Sequence, residues 1–320
     1  MNKKDLLLKY FQKANLLTVS NNQYRKALSS LFEWLTKCDG VNCDNTTRFI
    51  DMSYKQKAFI VTKENGIIAG LEEISYLLGN YTHLSMTPKV KDGNTVNINQ
   101  SIAIVEGKSS EILSYERTIL NILQRMSGIA TQTDKLIKIL HPQPTTHSPQ
   151  CFLAATRKTP WMFLDKKAVS VGGGLSHRLN LSDGFLIKDN HLRSIKTKYH
   201  LKDKTEAINK FIMINSPFNP DVMIEVEVEE EKEALTLLST KQKIKSPFNL
   251  TVMFDNFTPE NAKKTIEKLK KKFDLSNIII EGSGGINEKN LLNWASTGVD
   301  FISIGSLTHS TRALNLSLEF

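Results

Sequence analysis

The sequence predicts an α/β protein in two parts: an N-terminal part built on an antiparallel sheet and a C-terminal part of parallel strand–helix units. Three observations carry the prediction. Up to about residue 110, short apolar runs are separated by tight-turn dipeptides. From Ser109, a long stretch places apolar residues at helical spacing. Beyond residue 150, six apolar runs alternate with helical segments, the pattern of parallel β/α units.

The elements follow in order. "NQYRKALSSLFEWLTKC" reads as an amphipathic helix. "KAFIVTKENGIIAG" carries a hairpin signal at Asn65-Gly66, and "VKDGNTVNINQSIAIVEG" a turn at Asp92-Gly93. "SSEILSYERTILNILQRMSGIATQTDKLIKIL" opens on Ser and Glu, a helix-start signal, and Ile112, Ile119, Leu120, Leu123 and Met126 line one face. Arg117 lies two positions from Ile119, about 200° round the helix, and points away from that face. Three prolines make "HPQPTTHSPQ" a loop, and His141 and His147 are loop residues without a role. The six later strands are "QCFLAAT", "GFLIK", "VMIEVEV", "LTVMFD", "NIIIEGS" and "VDFISIG". Between several of them lie the helical segments "DKTEAINKFIMI", "EEEKEALTLLST", "TPENAKKTIEKLKKKF" and "NEKNLLNWAST". Continuous apolar runs suit strands buried on both faces, in an open doubly wound sheet or a closed barrel.

Composition excludes several classes. The 320 residues suffice for a large core, with 40% hydrophobic and 23% charged residues. The net charge of +9 sits largely in surface lysine runs such as "EKLKKKFD", without interleaved aromatics or a nucleic-acid reading motif, so no nucleic-acid partner is expected. Cys38, Cys43 and Cys151 have neither a zinc spacing nor a disulfide framework, which points to a reducing compartment. The apolar run in "MNKKDLLLKYF" is too short for a signal peptide, and no window reaches membrane-spanning length, so a soluble cytoplasmic protein is expected.

Each later strand ends in polar or glycine residues: Arg157-Lys158, Lys188-Asp189-Asn190, Glu225 and Glu227, Asp255-Asn256, Ser283-Gly284-Gly285, and Gly305 followed by Thr308 and His309. In an α/β barrel these ends converge on one mouth. Arg157, Lys158, His177, Arg178 and Lys188 would form a cationic half suited to carboxylates and phosphates. Glu227 and Asp255 would form an acidic half suited to magnesium or sugar hydroxyls. The "SGG" and "IGS" turns offer backbone N–H groups to a phosphate. Such a mouth suits a phosphorylated sugar and an organic acid.

Taken together, "ERTILNILQRMSGIAT", "TRKT", "GGGLSHRLNLSDGFLIKDNH", "EVEVE", "FDN", "SGGI" and "ISIGSLTHS" resemble the quinolinate phosphoribosyltransferase family (nicotinate-nucleotide diphosphorylase, carboxylating) of NAD biosynthesis. They stand in the family's order from about residue 58 onward. The resemblance implies an N-terminal α/β sandwich with an antiparallel sheet over residues 1–125 and an incomplete α/β barrel of parallel strands over 126–320, the last residues free to pack back on the N-terminal domain. It implies a homodimer in which Arg117 is lent to the neighbouring subunit's site. Arg157, His177, Arg178 and Lys188 would then hold the two carboxylates of quinolinate, and Lys158 the diphosphate side of phosphoribosyl pyrophosphate. Glu227 and Asp255 would engage the ribose hydroxyls and Mg2+, Ser283, Gly285 and Gly305 the 5-phosphate, and His309 would complete the basic lining. Lys158, Lys188, Glu227 and Asp255 make up the implied catalytic set. The implied reaction forms nicotinate mononucleotide, diphosphate and CO2.

Departures from the family pattern are local. Relatives carry "TPG" and an Arg after "TRKT", where this chain has "PWMFLDKKAV". The family's Gly-Asp-x-Thr-Thr appears as Cys43-Asp44-Asn45-Thr46-Thr47, residues 193–220 are long and Lys-rich, and about the first 20 residues match no part of the pattern. Two other readings fit less well. A relative acting on another pyridine or pyrimidine acid would need fewer basic residues, and a non-catalytic barrel would not need Glu227 and Asp255.

Overall fold

The structure, a computed structural model, describes residues 2–49, 54–141, 151–215, 221–244 and 248–320. The loop expected at 141–150, with His147, lies outside the described residues except for His141, whose Nε2 is 3.1 Å from the Cys151 carbonyl oxygen. Two compact units interleave along the chain. One gathers Lys13–Lys135, Lys158–Ser176 and Gly305–Phe320; the other gathers Met1–Gln12, Leu136–Arg157 and His177–Ile304.

Helix α1 (Lys3–Phe11) belongs to the second unit and is described with it. The first unit begins with α2 (Asn22–Asp39). Asn21 caps it by accepting from the Gln23 and Tyr24 N–H groups, and Gly40, at φ 69°, ends it in the left-handed conformation. Tyr24, Leu28 and Phe32, four residues apart, form its buried face. Asp44 opens α3 (Asn45–Phe49) by accepting from the Thr46 and Thr47 N–H groups. The same carboxylate accepts from Ser114 at 3.1 Å, which gives the Asp-x-Thr-Thr stretch a structural use.

Strand β1 (Lys55–Thr62) does not form a hairpin with β2 (Gly66–Ile67) at Asn65-Gly66. A hairpin turn of that type needs positive φ at both residues, and neither has it. Asn65 instead accepts from the Ile98 N–H, and a Cβ on Gly66 would meet Leu314 Cδ1 at 2.5 Å. Helix α4 (Leu71–Tyr81) follows, its first N–H groups taken by Asp92. Then come β3 (Ser85–Pro88), the expected turn at Asp92-Gly93 with Gly93 at φ 88°, β4 (Thr95–Val96) and β5 (Ser101–Lys108). The main sheet has the order β12-β1-β5-β3 and all its pairs are antiparallel; its edge strand β12 (Leu316–Glu319) comes from the far end of the chain.

Helix α5 (Ser109–Leu140) spans 32 residues. Its five expected apolar positions are buried, and the Arg117 side chain is 58% exposed. Ser109 does not cap it: its hydroxyl contacts Gln56 Oε1 at 3.2 Å, while Glu111 accepts from the His83 N–H. Gly128 sits where the chain after Arg312 crosses the helix. A Cβ there would press on the Arg312 carbonyl oxygen and lie 2.9 Å from Ala313 Cα. Alanine normally stabilises a helix over glycine by about 1 kcal/mol. Here the obstacle is backbone, so Gly128→Ala is expected to destabilise by about 1–3 kcal/mol, as overpacking does. A melting temperature at or above that of the unsubstituted protein would contradict this.

In the second unit, β6 (Phe152–Ala154), β7 (Phe185–Ile187), β8 (Met223–Val228), β9 (Asn249–Asp255), β10 (Ile278–Ser283) and β11 (Phe301–Ser303) make one parallel sheet. Its order is β6-β11-β10-β9-β8-β7. From β7 to β11 each strand is added on the same side, as in a barrel; a doubly wound sheet would reverse direction. β6 and β7 remain edges, so the barrel is open. The connecting helices are α7 (Asp189–Lys198), α8 (Lys204–Asn215), α9 (Glu231–Lys243), α10 (Pro259–Lys272) and α11 (Leu291–Ala295). Helices α6 (Phe163–Val171) and α12 (Ser306–His309) belong to the first unit.

Helix α1 explains the unmatched N-terminus. Leu6, Leu7 and Phe11 are buried, and the Phe11 ring lies 4.8 Å from that of Phe301. Lys3 pairs with Asp300 at 2.8 Å, and Tyr10 Oη accepts from Asn249 Nδ2 at 2.8 Å. Asp300 and Asn249 stand where β11 and β9 begin, so α1 covers the end of the sheet opposite the polar strand ends.

Candidate active site

The C-terminal ends of β7, β8, β9 and β10 bring together Lys188, Glu227, Asp255 and Ser283. Lys188 caps α7, its N–H donating to His191 Nδ1 at 2.9 Å. Its ammonium is 3.8 Å from Glu227, which also accepts from the Asp189 N–H at 3.4 Å. Asp189 pairs with Arg193 at 2.5 Å and with Lys204, and Lys204 also grips Glu229. The residues that follow β7 are therefore the start of a helix, and the Lys-rich segment after it braces that start. Burial, and then the neighbouring Asp255 charge, push the Glu227 carboxyl above its usual range. Two carboxylates that repel in a half-buried place suit a divalent cation or a pair of hydroxyls.

Asp255 and Ser283 are partners in the β9–β10 register. Asn256, at φ 57°, donates from Nδ2 to Asp255 at 2.8 Å and from its N–H to the Ser283 carbonyl at 3.1 Å. Gly284, at φ 82°, lies so close that a Cβ would collide with Asn256. Gly285 follows at φ 63°, exposed. Consecutive residues in this conformation turn backbone N–H groups outward, which suits an anion.

Arg178 is 8% exposed and spends Nη1 on the Gly184 carbonyl at 3.4 Å; its Nε is buried without a hydrogen-bond partner among the described residues. Burial, then the charge of Arg157, lower its pKa, so two guanidinium groups stand within electrostatic reach of each other. His177, at φ 54°, is 5% exposed. Its Nε2 lies 3.3 Å from both Glu225 and Glu281, and its ring 5.4 Å from Phe11. Its own N–H donates to the Phe11 carbonyl at 3.0 Å. Burial works against the imidazolium, but the two glutamates hold its pKa up at about 9.

The first unit holds a separate basic group. Lys158 Cδ and the His309 ring flank Gly305, within 3.4 and 3.0 Å of where its Cβ would lie. Beneath them, Arg125 donates from Nε and Nη2 to the two oxygens of buried Asp165, each at 2.7 Å. The altered loop contributes Trp161, its ring 5.2 Å from the Arg125 guanidinium, and Met162 at φ 47°. Arg117 lies elsewhere on this unit, 3.8 Å from Glu116. Sequence reasoning missed Arg125, Asp165, Glu281 and Phe11 because their partners are 40 or more residues away, and only the fold joins them.

Two family models match the chain: the quinolinate phosphoribosyl transferase N-terminal domain over residues 44–127 and the C-terminal domain over 129–319. The probable nicotinate-nucleotide pyrophosphorylase (carboxylating) of Methanocaldococcus jannaschii is 36% identical over 279 residues, covering 86% of this chain and 90% of the relative. That of Bacillus subtilis is 34% identical over 280 residues, covering 86% and 87%. The nicotinate-nucleotide pyrophosphorylase structure from Francisella tularensis superposes with a TM-score of 0.74 at 29% identity, covering 92% and 96% of the two chains. With the antiparallel sheet, the open parallel barrel and nearly the whole length matched, this chain belongs to the quinolinate phosphoribosyl transferase family.

Proposed function

We propose that this protein transfers the phosphoribosyl group of phosphoribosyl pyrophosphate to the ring nitrogen of quinolinate and releases one carboxylate as CO2, giving nicotinate mononucleotide and diphosphate in de novo NAD biosynthesis. The observation that carries this is Arg178: a buried guanidinium beside a second arginine, with Nε unpartnered among the described residues, suits a dicarboxylate. Arg157, Arg178, His177 and Lys188 orient quinolinate so that its nitrogen lone pair faces the ribose. The C1–nitrogen bond forms as the C1–oxygen bond breaks, and diphosphate leaves with the electron pair. Glu227 and Asp255 offset the positive charge that develops on the sugar. The 2-carboxylate then departs as CO2, its electron pair stays at C2 beside the quaternary nitrogen, and a proton restores the ring. Lys188 and Arg178 stabilise that charge. Lys158 and His309 take the diphosphate, and the N–H groups around Ser283, Gly285 and Gly305 take the 5-phosphate.

The donor set of Glu227 and Asp255 fits Mg2+, held directly or through the diphosphate, and there it would neutralise the leaving group. The protein works as a homodimer in which Arg117 enters the partner's site, in keeping with its outward place on α5. Arg117→Ala and Arg178→Met proteins, each strongly impaired, should regain turnover when mixed, because mixed dimers contain one site with both arginines; no recovery would reject the lent residue. The same reading assigns the enzyme to the cytoplasm, in keeping with three unbridged cysteines; among the described residues no helix is long and apolar enough to cross a membrane. Purified protein with quinolinate, phosphoribosyl pyrophosphate and Mg2+ should release CO2, and nicotinate in place of quinolinate should not support turnover. Absence of CO2 from folded protein would reject the reaction.

A further inference from the structure

The ion pair between Arg125 and Asp165 collects an unusual number of contacts for a pair outside the strand ends. Asp165 is fully buried and accepts both Arg125 bonds at 2.7 Å, the Trp161 N–H at 3.3 Å and the Thr159 hydroxyl. Arg125 gives a further bond from Nη2 to the Thr308 carbonyl at 2.8 Å. Thr308 Oγ1 in turn donates to the Lys158 carbonyl at 2.8 Å. One carboxylate and one guanidinium thus tie α5, the 158–162 loop, α6 and α12 together. The backbone of Lys158-Thr159 is pinned on both sides: Thr308 holds the Lys158 carbonyl and Asp165 holds the Thr159 hydroxyl. The Lys158 side chain runs past Gly305, which it and His309 flank.

A bidentate Arg–carboxylate pair fixes direction as well as distance, which a point charge such as lysine cannot do. Its geometry therefore passes to both cations above it. We propose that Arg125 and Asp165 are positioning residues for the phosphorylated sugar substrate, setting Lys158 and the Gly305–His309 turn without touching the substrate themselves. This rests on the reading of Lys158 and His309 as diphosphate contacts. It also gives a use to the altered loop: Trp161 packs over the guanidinium that the pair must hold still.

The test uses Arg125→Lys, Asp165→Asn and Thr308→Val in the full-length protein. Arg125→Lys keeps the charge and loses the fork; Thr308→Val removes the hydroxyl contacts to the Lys158 and Gly305 carbonyls and leaves the Arg125–Asp165 pair in place. Each should raise KM for phosphoribosyl pyrophosphate, and weaken binding of inorganic diphosphate measured by calorimetry, by about tenfold or more, the size of one lost charge-assisted hydrogen bond. Quinolinate affinity, measured alone, should stay within about twofold, below the size of any lost hydrogen bond. Equal weakening of both ligands, unchanged diphosphate binding, or loss of folded protein in all three variants would each overturn the proposal and make the pair a stability element. Diphosphate binding also separates this proposal from the reaction itself. Unsubstituted protein that binds diphosphate but releases no CO2 would reject the reaction and leave the positioning result readable.

Discussion

Arg178→Met is expected to lower kcat/KM for quinolinate by about 30- to several-thousand-fold while the protein melts within a few degrees of the unsubstituted chain. The magnitude follows from the loss of a buried, charge-assisted contact, about 2–5 kcal/mol, at about 1.4 kcal/mol per tenfold. The fold should tolerate the change because Arg178 spends only one long bond on the protein, 3.4 Å to the Gly184 carbonyl, and leaves Nε without a partner among the described residues. Burial and the nearby Arg157 disfavour its charge, Glu225 and Asp183 offset part of that, and methionine keeps most of the volume. A buried guanidinium with Nε unpartnered among the described residues suits an arriving anion. Steady-state kinetics with varied quinolinate, with thermal unfolding followed by circular dichroism, reads both halves. A drop in stability equal to the drop in activity would mean that Arg178 serves the fold.

Folding stability is expected to fall by about 3 kcal/mol as pH rises from about 6.5 through about 9, because of His177. Just below the ordinary imidazole value of 6.5, folded and unfolded chains both carry the proton, and the stabilisation of the imidazolium by its glutamate neighbours, Glu225 first, is present. Above 6.5 the unfolded chain releases its proton first, while the folded chain keeps it until about 9. The stabilisation is therefore lost on the alkaline side. The gap between 6.5 and about 9, at about 1.4 kcal/mol per pH unit, sets the size. Glu225→Gln removes the neighbour that contributes most to holding the proton, so its stability should fall less over the same window. Urea unfolding at pH 6.5 and 9.5 with a common m-value tests this; equal losses in both proteins would refute the assignment to His177.

Much of the architecture was legible in the sequence because strands and helices leave local periodicities. All six later strands appear where their apolar runs stand, and so does the long helix with its five buried positions. The Asn65-Gly66 hairpin was misread because a dipeptide signals only local preference, and Leu314, some 250 residues later, decides what Gly66 is for. The helix starting at Asp189 was missed because a lysine, Lys188, stands at its N-cap with its N–H taken by His191, and its brace, Lys204, comes from the next helix. At the strand ends, Lys188, Glu227, Asp255 and Ser283 were readable as a group because parallel strands deliver the residue after each run to the same end of the sheet. What lay beneath them was not. Glu281 is the only charged residue in an otherwise apolar strand, and nothing in its neighbourhood along the chain marks it as His177's partner.

The docking of α1 has a consequence for how this chain is made. Phe11 leaves the ribosome about 290 residues ahead of its ring partner Phe301. At about 5–20 residues per second, the apolar face of Leu6, Leu7 and Phe11 waits about 15–60 s for its site to exist. The antiparallel sheet waits in the same way for β12, which joins the edge of β1 from about 250 residues further along the chain. Neither unit is complete until residues beyond 300 have been made. A nascent chain stalled before residue 300 should therefore show a protease-sensitive α1 and chaperone dependence, which synthesis through β12 removes.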